Sequence, residues 1–218
     1  MAGKRFYDDG CLTAHAMDLI GERWAMLVIR ELLFGPKRFT DLKGSLPGIS
    51  PNVLSQRLEE LEGFGLISRR QLPPPAPSRL YELTQWGRAL QPAMAALGAW
   101  AARSPHLPLE KPMGAAALVL ALETLIDPER ARWQSFTIGL KLGPQDFSAS
   151  VTRRQLSVLP QPAERPDAVL AGAPDAVASV ILRGTALDEA LAGGDVSFDG
   201  SRRVLEDFVT LFQRPGQA

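Results

Sequence analysis

Apolar positions recur at helical spacing through the first hundred residues and at alternating spacing through much of the remainder. Thr13 to Ile20 and Glu22 to Phe34 have helical composition, and Gly35-Pro36 ends the second. That second segment is apolar on nearly every side, at Trp24, Met26, Leu27, Val28, Ile29, Leu32 and Leu33, which predicts a centrally buried helix. Phe39 to Leu46 predicts a short third helix and Pro47-Gly48 a turn. Ser50 then caps a fourth helix, with Pro51 at its first position, where the missing N–H has no intrahelical partner to lose. Leu54, Leu58 and Leu61 give the fourth helix a buried stripe at i, i+4 and i+7. Leu66 to Gln71 and Leu80 to Leu83 have strand character and read as a hairpin around the proline-rich tip Leu72 to Ser78, with Gln85 to Ala101 helical after it.

A second proline-rich passage, Ser104 to Pro112, precedes a shift from Arg-rich to Ala-, Gly- and Asp-rich composition, as a linker does. We therefore expect domains at residues 1–104 and 112–218 with a linker at 105–111. Beyond it, Ala115 to Leu125 predicts an apolar helix, and Trp133 to Leu140, Phe147 to Arg153, Leu156 to Leu159 and Asp167 to Ala171 predict strands. Helices are expected at Pro174 to Leu182, Leu187 to Ala192 and Ser201 to Phe212, with a short strand at Val196 to Asp199. Strands first and helices later predict an α+β domain, a mainly antiparallel sheet covered by helices on one face.

On the fourth helix, Asn52, Ser55, Gln56 and Glu59 lie opposite the leucine stripe, a solvent face that is polar and almost uncharged. As a bland surface it needs no function; as a recognition surface its amides and hydroxyls suit base edges. Arg57, beside the stripe, fits a phosphate or an intrahelical carboxylate better than a base. Arg69, Arg70 and Arg79 flank the hairpin tip, either as phosphate contacts or as charges that guard an edge strand. Helix, turn, polar-faced helix and basic hairpin succeed one another as in a winged helix-turn-helix.

Residues 17 to 70 resemble the HxlR family of bacterial winged-helix transcriptional regulators. The similarity rests on Cys11 ahead of the first helix, Gly21 before Arg23-Trp24, the Gly35-Pro36 break followed by Arg38-Phe39, the block LPGISPNVLSQRLEELE, and the continuation YELTQWGRAL. The resemblance covers about residues 7–102. It implies an N-terminal winged helix-turn-helix domain, a homodimer held by terminal helices, double-stranded DNA bound at an inverted-repeat operator by the Ser50 to Gly63 helix, and backbone contact by the hairpin. Repressor rather than activator follows from the same analogy. The triple proline Pro73-Pro74-Pro75 departs from the family pattern at the tip. The expected DNA-contacting set is Ser50, Pro51, Asn52, Ser55, Gln56, Arg57, Arg69, Arg70 and Arg79.

Asp167 to Phe212 resembles the sterol carrier protein type 2 fold: a strand, Gly172-Ala173-Pro174-Asp175 opening a helix, the helix DEALAGG, the strand VSFDG, and a last amphipathic helix. That resemblance implies a tunnel for a small apolar ligand, with Phe136, Phe147, Phe198, Phe208 and Phe212 as its lining or, equally, as plain core. Cys11 precedes a helix start, where free N–H groups favour a thiolate, so it reads as a sensor thiol or as a buried inert one; Asp8 and Asp9 beside it oppose activation.

Composition narrows the alternatives. With 45% hydrophobic and 22% charged residues the chain is an ordinary globular one, and its 24 basic and 24 acidic residues cancel. The cancellation hides a split: residues 1–104 carry 13 Lys and Arg against 10 Asp and Glu, and residues 105–218 carry 11 against 14. One cysteine and two histidines leave no internal disulfide and no structural zinc site. The N-terminus has no apolar core segment of a signal peptide, and no apolar run approaches the roughly 20 residues that span a bilayer, so we expect a cytoplasmic protein without a membrane partner. No Walker lysine or G-x-S-x-G elbow is present, Gly63-Phe64-Gly65 lacks the third glycine of a dinucleotide fingerprint, and His15 and His106 have no evident nucleophile partner. We expect no enzyme and no cofactor. The rival class is a lipid or small-molecule carrier in which the winged helix serves dimerisation or protein contact.

Overall fold

The computed structural model of the chain describes residues 6–71 and 79–213, which fall into two compact units, Met1–Met94 and Ala95–Ala218. The division falls inside a helix, upstream of the Ser104 to Pro112 passage. The hairpin tip at residues 72–78, with its triple proline, lies outside the described residues.

In the first unit, α1 (Leu12–Ile20) and α2 (Ala25–Leu33) are followed by β1 (Lys37–Arg38), α3 (Phe39–Ser45) and α4 (Pro51–Gly63). Then come β2 (Ile67–Gln71), β3 (Arg79–Leu83), α5 (Gln85–Arg88) and α6 (Gln91–Ala101). Val28, Ile29 and Leu32 of α2, Leu42 of α3, and Leu54, Leu58 and Leu61 of α4 are buried together with Leu66, Ile67 and Leu83. The expectation of an all-round buried second helix is corrected. Leu27 is exposed, Trp24 and Met26 are half-buried, and α2 begins only at Ala25 because Trp24 takes a left-handed backbone at φ 80°.

The antiparallel sheet runs β1-β3-β2, with Lys37 opposite Tyr81 and Ile67 opposite Leu83. Strand β1 is absent from the sequence reading, since two residues carry no period. The expected long helix from Gln85 breaks in two. Pro92 lacks the N–H that would bond the carbonyl of Arg88, so a new helix starts with the proline in its first turn. Thr84 caps α5 by accepting the Gly87 N–H at 3.0 Å, and Gly87 lies so close to the strand that a Cβ would stand 2.0 Å from the Leu66 carbonyl oxygen.

In the second unit, α7 (Ala115–Leu125) precedes β4 (Ser135–Leu142), β5 (Gln145–Thr152), β6 (Gln155–Leu159) and β7 (Ala168–Gly172). α8 (Pro174–Ala178) continues as a π-helical turn (Ser179–Arg183), followed by α9 (Leu187–Ala192), β8 (Val196–Gly200) and α10 (Arg202–Val209). The sheet order is β6-β5-β4-β7-β8, antiparallel throughout except for the β4–β7 pair. The α+β architecture expected from the sequence is therefore present. Alternation is clear in β5, where Phe147, Ala149 and Val151 are buried. Trp133, expected to open a strand, instead stands 84% exposed in the turn before β4. The segment after α10 is tied back to α7 by Gln213 N–H donating to the Leu125 carbonyl at 2.8 Å and Asp127 N–H to that of Leu211 at 2.7 Å.

Candidate nucleic-acid interface

Helix α4 is fixed at its start by Ser50, whose hydroxyl oxygen accepts the Val53 N–H at 3.2 Å, and along its length by the buried leucine stripe. Burying Leu54, Leu58 and Leu61 forces Pro51, Asn52, Ser55, Gln56 and Glu59 to the outside, and all five are exposed, as is Ser50. The result is a short ridge of one amide, two hydroxyls and a second amide at a helix N-terminus, whose unpaired N–H groups favour an anion. Gln56 is steadied by donating from Nε2 to Glu60 Oε1 at 3.0 Å, which leaves its carbonyl oxygen and second N–H outward.

Arg57 is a correction to the expected contact set. It is only 6% exposed, and its Nη1 donates to Glu60 Oε2 at 2.5 Å and lies 3.6 Å from Glu22 Oε2 in the α1–α2 turn. Of the two roles its position allowed, the intrahelical carboxylate is the one it takes. The i, i+3 spacing of Arg57 and Glu60 was a signal for it; the partner from the preceding turn had none. The arginine Nε is buried without a hydrogen-bond partner, so the guanidinium is held by charge more than by full satisfaction.

A second buried charge group sits between α2 and β1. Glu31, 2% exposed, accepts from Lys37 Nζ at 2.6 Å and from Arg30 Nη2 at 2.8 Å. The sequence reading passed over it because Glu31 falls within an apolar run. The pairing fastens β1 to the central helix, and β1 in turn pairs with Leu80 and Tyr81 of β3. On that hairpin Arg69, Arg70 and Arg79 are exposed; Arg69 Nε stands 3.5 Å from Glu62 and Arg70 Nε 3.9 Å from Glu82, loose pairs that leave both guanidiniums available to an external anion.

Cys11 is exposed at the N-cap of α1, which sets aside the buried inert alternative. The backbone N–H groups of Ala14 and then Thr13, with the Thr13 hydroxyl, hold its thiol below the ordinary range. Asp9 Oδ1 accepts the Cys11 N–H at 2.9 Å.

In the second unit the five phenylalanines part company. Phe147, Phe208 and Phe212 are buried, at 2%, 0% and 2% exposure. Phe208 packs edge-to-face with Phe212 at 5.1 Å and with Phe136 at 6.3 Å between ring centroids. These contacts make Phe208 and Phe212 close-packed core instead of an open lining, correcting that part of the expectation. Phe136 and Phe198 remain half-buried. Asp175 joins this unit's parts: its Oδ1 accepts the Met113 N–H at 2.8 Å and an Arg183 guanidinium N–H at 2.7 Å, and Arg183 holds its carboxyl below the usual range.

Among the described residues no helix is long and apolar enough to cross a membrane, and no cluster of three or more His, Cys, Asp or Glu could hold a metal ion.

Comparison with known proteins matches residues 19–106 to the HxlR-like helix-turn-helix model and residues 117–213 to that of the SCP-2 sterol transfer family. The HTH-type transcriptional regulator YvaP of Bacillus subtilis is 40% identical over 87 residues, covering 39% of this chain and 80% of the relative. The HTH-type transcriptional regulator YodB of the same organism is 41% identical over 86 residues, covering 39% and 77%. A structure of the reduced form of YodB from B. subtilis aligns at 38% identity with a TM-score of 0.40, covering 44% of this chain and 94% of that one.

Proposed function

The chain belongs to the HxlR-like helix-turn-helix family, with an SCP-2 domain as its second unit, and from that membership we propose a cytoplasmic homodimeric repressor whose operator is an inverted repeat. It is a DNA-binding transcriptional regulator, as its curated relatives are named. The observation that carries the finer reading is the exposed ridge of Asn52, Ser55 and Gln56 on the helix whose opposite face is locked by Leu54, Leu58 and Leu61. In a major groove an amide can bond adenine bidentately, a contact worth about 1–3 kcal/mol of discrimination. Ser50 and Pro51 place the helix N-terminus toward phosphate, and Arg69, Arg70 and Arg79 supply affinity that is independent of sequence and sensitive to salt.

Dimerisation is supported by apolar groups left uncovered. Leu12 is 86% exposed on α1, and α6 buries only Met94 while leaving Leu97 and Trp100 exposed. An α6 of this composition is stable as a water-facing helix only when a partner covers it. We read the second unit as the sensing part. A small apolar molecule near Phe136 and Phe198 alters DNA binding to the degree that it prefers one of two spacings of the paired α4 helices.

Fluorescence anisotropy with duplex from upstream of the protein's own coding sequence, at two salt concentrations, tests this reading. Specific binding that resists competitor DNA and weakens with salt is expected. Binding indistinguishable from that of random duplex rejects it.

A further inference from the structure

The β5–β6 hairpin closes on a two-residue turn, Arg153-Arg154, between the paired residues Thr152 and Gln155. Both arginines have left-handed backbone, at φ 48° and 76°. Such turns favour Asn-Gly, because a side chain with a Cβ is strained at both positions. The neighbouring two-residue turn, Gly143-Pro144 between β4 and β5, places a glycine at its left-handed position, at φ 61°. The sequence thus keeps two long cationic side chains where the backbone disfavours them, and such strain persists where the surroundings or a function hold it.

The turn does not stand alone. Arg154 Nη1 lies 3.3 Å from Glu129 Oε1, which brings the tip against the 129–133 loop. There Arg132 stacks over the ring of the exposed Trp133, its guanidinium carbon 4.8 Å from the ring centroid. Arg130 is tied down, bonding the Thr210 carbonyl at 3.0 Å and lying 3.4 Å from Asp127. Arg132 and Arg153 are exposed and have no ion pair among the described residues. Four arginines against Asp127 and Glu129 leave a positive excess in the half of the chain where acidic residues outnumber basic ones. Every cation here is a guanidinium, whose flat fork matches a phosphate, and the Trp133 face holds one of them outward.

We propose that Arg132, Trp133, Arg153 and Arg154 form a second DNA-contacting surface, which grips the phosphate backbone of duplex flanking the site read by α4. The proposal rests on the regulator reading, since it takes the same DNA as its ligand. A membrane surface fits less well, for Trp133 is the one large apolar group exposed on this patch among the described residues, and it is engaged by Arg132. The gain is one of linkage: both surfaces belong to one chain, so DNA held by α4 raises the local concentration of phosphate for the patch.

The test uses the full chain, wild type and R153N/R154G, with R132Q as a second variant. The probes are two labelled duplexes sharing the upstream site, one trimmed to about 25 base pairs and one extended by about 20 base pairs on each side. R153N/R154G restores the favoured turn, so its Tm is expected to rise, which shows that the variant folds. On the long duplex it is expected to bind roughly three- to tenfold more weakly at low salt, with the slope of log Kd against log salt reduced by about 4 for the dimer; R132Q reduces that slope by about 2. The short duplex is bound as by wild type. Equal binding of wild type and variants to the long duplex overturns the proposal, as does equal weakening on both lengths, which places the effect at the α4 site. A loss confined to vesicles of phosphatidylglycerol and phosphatidylcholine overturns it in favour of a membrane surface. Wild-type protein that binds neither duplex removes the regulator reading itself, a result distinct from the others.

Discussion

Cys11, Arg57 and Asn52 occupy three different electrostatic settings, and each has its own measurable consequence. The thiol of Cys11 is solvent-exposed and stabilised as thiolate by backbone N–H groups at the start of α1. A lowered pKa means a larger thiolate fraction at neutral pH, so the iodoacetamide rate should reach half its plateau at a lower pH in the folded chain than in urea. Coincident profiles would show an ordinary thiol. Arg57 is buried against Glu60 and Glu22, so Arg57→Met should lower stability by about 1–2 kcal/mol, the two glutamates being partly hydrated already. With its guanidinium buried against those two carboxylates, its loss should leave the salt slope of DNA binding unchanged. Arg69→Ala should do the opposite, sparing the fold and lowering the slope by about 2 for a dimer that carries it twice. Asn52→Ala should weaken binding to the operator by about 1–3 kcal/mol and leave random duplex unaffected. Anisotropy at a series of salt concentrations distinguishes all three.

At the scale of elements, the order and approximate extent were legible where one element's own periodicity decides them. The stripe Leu54, Leu58, Leu61 and the cap at Ser50 define α4 from the sequence, and Ser50→Ala should lower stability by about 1 kcal/mol in thermal unfolding. The breaks were harder to see. Trp24 is left-handed, β1 has two residues, and α8 passes into a π-helical turn closed by Gly184 at φ 87°; none of these carries a repeat of its own along the sequence. The Asp175–Arg183 pair also belongs here, fastening the segment at Met113 to α8. Asp175's carboxyl is depressed in the folded chain, so its stabilisation is present above the ordinary carboxylate pKa and lost as pH falls through the lower folded value. Acid unfolding followed by circular dichroism should begin at higher pH, and show a shallower dependence, in the less stable Asp175→Asn chain.

For the whole molecule, the uncovered apolar groups of α1 and α6 predict the state of assembly. In the proposed homodimer, Trp100→Glu should shift the chain toward monomer in sedimentation velocity and abolish tight operator binding, one subunit then meeting one half-site. A variant that stays dimeric would move the interface elsewhere.

Read alone, the sequence determined the α+β class, the winged helix-turn-helix order, the outward placing of Asn52, Ser55 and Gln56, and both family resemblances, because these depend on spacing within a single segment. Tertiary structure decided the fates of Arg57, Glu31 and the phenylalanines. Whether a charge is free or paired, and whether an aromatic ring lines a space or fills it, depends on which distant residue stands within 4 Å. Arg57 meets Glu22 across a turn, Glu31 meets Lys37 across a helix end, and Phe208 of α10 meets Phe136 of β4. Chain folding creates those encounters, and no periodicity encodes them.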